Sequence, residues 1–96
     1  MRREEIEGLV LAVLQDVQET SGKSWMGLSR NATPIGALDG FDSLTALEAT
    51  VLIEERLKTS AGVQTHDDEC LFIEGNRALS LKEVCDRIEA LLAGGA

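Results

Sequence analysis

The sequence predicts an all-α fold. It reads as a small bundle of three main helices plus a short third helix, with a long loop between helices one and two. Three observations predict it. Apolar residues recur at spacings of three and four in three separate segments, the period of an amphipathic helix. Aromatic residues are scarce, two Phe, one Trp and no Tyr, so the core must come from Leu, Val, Ile and Ala. Glycines and the single proline gather between the first two periodic segments, where they interrupt regular structure. A chain of 96 residues suits one domain, 1–96, with a single core and little surplus stability.

The first helix spans about residues 3 to 19. Ile6, Leu9, Val10, Val13 and Val17 form its apolar stripe, and Arg2, Glu4, Glu5, Glu7, Asp16 and Glu19 fall mostly off it. Thr20 to Phe41 is the long connection, broken by Gly22, Gly27, Pro34, Gly36 and Gly40. A loop of this length needs apolar anchors, and Trp25, Met26, Leu28, Ile35, Leu38 and Phe41 are the candidates.

The second helix runs from about Ser43 to Lys58, with Asp42 placed as its N-cap. Ala46, Ala49, Thr50, Ile53 and Leu57 face inward. Leu44, Leu47 and Val51 make a neighbouring stripe, and Glu48, Glu54 and Glu55 point outward. In "DDECLFIEG" a short third helix or turn is expected, with Leu71, Phe72 and Ile73 beneath it. The last helix begins with a capping box, Ser80 and Glu83, and a hydrophobic staple, Leu79 and Val84. Its buried face is Leu81, Val84, Cys85, Ile88, Leu91 and Leu92.

Seventeen acids against nine bases give a formal net charge of -8. Such a surface disfavours nucleic acid and anionic membranes and favours basic protein partners. The start lacks the pattern of a secretory signal, and Gly8 to Gln15 is too short to span a bilayer, so a cytoplasmic protein is expected. Two cysteines do not make a disulfide framework. In "HDDEC", His66 and Cys70 stand four apart, but no second pair completes a metal site, so no metal is expected. The same pair lacks the third group and the oxyanion donors of a nucleophilic site.

One block is more particular. "LDGFDSLTALEATVLIEERL", Leu38 to Leu57, places Asp-Ser-Leu at the start of a helix that mixes exposed glutamates with exposed apolar residues. Together with the order of the elements, this resembles the acyl carrier proteins. The resemblance covers nearly the whole chain in pattern, and only this block in residues.

The resemblance implies that Ser43 is the attachment point of 4'-phosphopantetheine. A phosphopantetheinyl transferase would supply the group, and the chain would be a shuttle for acyl intermediates of fatty acid, polyketide or specialised biosynthesis, not an enzyme. It gives Asp42 a part in recognition by the transferase and sets Leu44 beside the arm. It makes Glu48, Glu54, Glu55, Leu47 and Val51 the contact surface for ligases, synthases or transferases with basic docking patches, and the chain a monomer. From Asp39 to Glu55 there are five acids and no base, a one-signed surface that speeds encounter with such partners. A phosphodiester on Ser43 would also sit by the free N–H groups and positive dipole end of the second helix.

Two features depart from the family. Thr45 stands where many carriers of fatty acid synthesis have an acid, and "KTSAGVQTHDDECLFIEGNRALS" does not follow the usual pattern after the second helix. Other readings of the same residues are a peptidyl or aminoacyl carrier of nonribosomal assembly, and an unmodified acidic module that binds proteins. A serine that merely begins a helix, and glutamates that merely solvate one, are the plain alternatives for Ser43 and for Glu48, Glu54 and Glu55.

Overall fold

The computed structural model describes residues 2–23, 29, 31–38, 40–62 and 70–94. These residues are mostly helical. In order they form α1 (Arg3–Thr20), α2 (Pro34–Ala37), α3 (Ser43–Ala61), β1 (Ile73–Glu74), β2 (Arg77–Ala78) and α4 (Leu81–Gly94).

Helix α1 packs against both α3 and α4. Its buried face is Ile6, Val10, Val13, Leu14, Val17 and Gln18. Leu14 and Gln18 widen the stripe read from the sequence, because two helices cover α1 from two sides. Leu9 is half-buried at the edge. At the N-terminus, the Arg2 N–H donates to Glu5 Oε1 at 3.1 Å. Arg3 then reaches across to α4, donating to Asp86 at 2.7 Å and Glu89 at 3.1 Å.

The connection after α1 contains a single turn, α2. Pro34 sits in its first turn after Thr33, where its missing N–H costs nothing, while Ile35 and Gly36 depart from helical geometry. Leu38 and Phe41 are buried and Ile35 packs against the core, as loop anchors should. Trp25, Met26 and Leu28 lie outside the described residues.

Helix α3 runs three residues beyond the expected end and stops at Gly62, whose N–H bonds to the Lys58 carbonyl. Ala46, Ala49, Thr50, Ile53 and Leu57 are all buried, as the inward stripe predicts. The α4 capping box is formed: the Ser80 N–H donates to Glu83 Oε1 at 3.0 Å and the Glu83 N–H to Ser80 Oγ at 3.2 Å. Leu79 and Val84 are both fully buried around it.

Of the short third helix or turn expected here, the described residues show a turn. Among the described residues no helix lies between α3 and α4. Residues 70–72 form a turn and 73–78 a two-stranded antiparallel hairpin pairing Ile73 with Ala78 and Glu74 with Arg77. The expected segment's first residues, 67–69, are outside the described set. The physical reason is the dipeptide Gly75-Asn76. Gly75 has φ +61° and Asn76 stays negative, the pattern of a two-residue hairpin turn of type II′, whose twist suits antiparallel strands and not a helix. A further bond, Leu79 N–H to the Phe72 carbonyl at 2.8 Å, extends the pairing inward.

This hairpin is held from two sides. Thr50 Oγ1 on α3 accepts from the Leu71 N–H at 3.1 Å and donates to the Ala46 carbonyl at 2.8 Å. Arg87 Nη1 on α4 donates to the carbonyls of Cys70 and Ile73, each at 3.0 Å. Phe72 is fully buried and meets Phe41 edge-on, centroids 5.5 Å apart at 69°. No described helix is long and apolar enough to cross a membrane.

Candidate functional site

Asp42 caps α3. Its backbone is extended, and its Oδ1 accepts from the Thr45 N–H at 2.9 Å and from the Thr45 hydroxyl at 3.0 Å. These bonds favour the ionised form. The Thr45 N–H lowers the Asp42 pKa most, then the Thr45 hydroxyl, with the Lys23 charge and the Leu44 N–H adding to them against a small desolvation cost.

The cap fixes Ser43 as the first residue of α3, exposed to solvent. Leu44 next to it is 68% exposed, and Leu47 and Val51, one and two turns on, are 46% and 49% exposed. Three large apolar residues on one helix face are thus left in water while their neighbours 45, 46, 49, 50 and 53 are buried. Glu48 and Glu55 are exposed beside them, and Glu54 is half-buried. The site residues read from the sequence therefore share one end and one face of α3, with Glu54 turned furthest toward the protein.

Thr45 differs from its expected place. It is buried and serves the cap, so its lack of charge takes nothing from the exposed face of α3. The helix-end donors also differ in part. The Thr45 N–H is committed to Asp42, so an anion on Ser43 would find one donor already used and a carboxylate beside it.

A compensating charge comes from Lys23, just past α1. Its Nζ donates to the Gly40 carbonyl at 2.9 Å. Gly40 has φ +62°, a conformation that favours glycine, and a Cβ there would stand 2.7 Å from Lys23 Cε, so a larger residue would strain the backbone and push the end of the lysine aside. This ties the loop before the cap to the end of α1 and sets an ammonium in reach of Asp42's field. Nothing in the sequence near Lys23 marks it, because the contact spans seventeen positions and is made to a backbone oxygen.

An open groove adjoins Ser43. Its walls are Ile35, Asp42 and Ser43 on one side and Ile73, Gly75, Asn76 and Ala78 of the hairpin on the other, with a volume of about 440 Å³. The hairpin wall was legible in principle: Gly-Asn between two short apolar-flanked runs is a hairpin signal. Among the described residues no group of His, Cys, Asp or Glu could hold a metal ion. His66 and the acids 67–69 of "HDDEC" are outside the described set.

No protein-family model, curated protein or solved structure matches the chain.

Proposed function

We propose that the chain is a carrier protein of the acyl-carrier type, with Ser43 as the attachment point of 4'-phosphopantetheine. The observation that carries this reading is the pairing on one helix of an exposed first-turn serine with an exposed apolar stripe, Leu44, Leu47 and Val51, edged by Glu48 and Glu55. A fold that only needed a helix start at Ser43 would have no use for three apolar residues in water beyond it.

The residues present fit the group. Ser43 is open to an approaching enzyme, Asp42 holds its backbone at the helix start, and the adjoining groove has both apolar and polar lining. In the transfer, Ser43 Oγ would form a bond to phosphorus as the pyrophosphate P–O bond of coenzyme A breaks. Adenosine 3',5'-bisphosphate leaves, and the hydroxyl proton passes to a base of the transferase. When bound, the arm supplies a thiol that carries an acyl group as a thioester. The chain's own residues orient and present it: Asp42 and Thr45 fix the attachment point, Lys23 steadies the loop before it, and Leu44, Leu47, Val51, Glu48, Glu54 and Glu55 meet the partner. Neither Cys70 nor Cys85 takes part. The setting that fits these partners is the cytoplasm, with the carrier acting as a monomer and catalysis residing in the enzymes it visits.

The exposed stripe also suits a second reading, an unmodified acidic module that only binds proteins. Treatment with coenzyme A and a broad-specificity phosphopantetheinyl transferase, read by intact mass, separates the two. A gain of one phosphopantetheine that disappears in Ser43→Ala is expected of the carrier. No gain, with partner capture intact, supports the module.

A further inference from the structure

Turned inward from Ser43, an apolar chain would have to part α3 from the 70–73 turn. That seam is closed by two kinds of contact and backed by a third. Thr50 Oγ1 holds the Leu71 N–H and Phe72 is pinned edge-on to Phe41, immediately before the α3 cap, while from the far side Arg87 Nη1 on α4 anchors the turn through the carbonyls of Cys70 and Ile73. Phe72, Leu71, Ala46, Ala49 and Ile53 around the seam are at most 1% exposed. Opening it would strand a buried N–H and expose an aromatic ring together.

The groove on the other side of the hairpin needs no opening. It starts at Ser43 and is already walled by Ile35, Ile73 and Ala78, with Gly75 and Asn76 at the turn. Its volume of about 440 Å³ lies at the lower end of the range for small-molecule sites. Ile35 and Ile73 can cover the dimethyl carbon of a pantetheine arm, and the Asn76 amide can both donate to and accept from the arm's amides.

We propose that the arm rests in this hairpin-walled surface groove and that its cargo stays outside the helical core. The inference rests on the carrier reading of Ser43. It gives the hairpin a role in that reading, since its wall shelters the arm while the pinned seam keeps acyl chains out. The cargo class that suits it is short or polar acyl groups, which lose little by remaining in water.

The test uses the full chain loaded from acetyl-, hexanoyl- and dodecanoyl-coenzyme A by a broad-specificity transferase, with loading verified by intact mass. Two readouts follow: the rate at which hydroxylamine cleaves the cargo, and the backbone and methyl NMR shifts of each loaded form. Expected are cleavage at one rate for all three lengths, and shifts at Ile35 and 73–78 with nuclear Overhauser contacts from the arm's dimethyl group to Ile35 or Ile73. A cleavage rate that falls progressively with chain length, or shifts at Thr50, Leu71 and Phe72 that grow with it, would overturn the proposal and leave the carrier reading standing. So would a loaded arm with no contact to the groove. Failure to load at Ser43 would overturn both.

Discussion

Asp42 shows how one side chain can serve stability and presentation together. Its carboxylate closes the first turn of α3 through Thr45, and that closure turns Ser43 outward. The same bonds, with Lys23 nearby, depress its pKa below the ordinary carboxylate value. A depressed acid stabilises the fold above its unfolded pKa, about 3.9 for Asp, and loses that contribution as the pH falls through the lower folded value. Asp42→Asn is therefore expected to be less stable than the parent at neutral pH and to converge with it in strong acid, as read by denaturant midpoints across pH. Glu83 behaves likewise, its pKa lowered by the Ser80 N–H first and then by Arg77. A constant difference at every pH would show that the Asp42 charge plays no part in the cap.

At the level of elements, α3 and α4 are joined through the 70–79 segment, and the joining atoms are few. Thr50→Val keeps the volume but leaves the buried Leu71 N–H without its acceptor, an expected loss of about 1–3 kcal/mol in urea unfolding. Ser80→Ala removes one side of the α4 capping box and should cost about 1 kcal/mol by the same measurement. The contrast in what was legible follows from the same atoms. Helices α1, α3 and α4 can be read from periodicity, and the α4 start from its capping box, because those signals are local. The hairpin reads only as a short third helix or turn in the sequence because its strands are two residues long, too short for alternation to register. Its one local clue, Gly75-Asn76, follows a stretch with acids at 67–69 and 74 that also suits a helix. Thr50, on the inward stripe, reads as a packing residue; only its distance to Leu71 reveals it as an acceptor.

Across the whole molecule, the charge of -8 gives the proposed site its long-range reach. Charges steer encounter over roughly a Debye length, about 8 Å at physiological salt, and added salt shortens it. Loading by a basic-patched transferase should slow as salt rises, and Glu48→Lys with Glu55→Lys should slow it at low salt and flatten the salt dependence. An unchanged rate would remove the glutamates from docking. The exposed face of α3 was legible because Leu44, Leu47, Val51 and the glutamates follow one helical period. The groove and the Lys23 tether were not, because each joins residues from distant parts of the chain, whereas the part of Thr45 in the cap is local to Asp42 and was missed because that position was read for its charge. The central claim concerns a single oxygen, Ser43 Oγ. Peptide mass spectrometry after transferase treatment locates the added group most directly: one phosphopantetheine on Ser43, with every other serine unmodified, is the predicted result. A chain that stays unmodified, or carries the group on another serine, would contradict it.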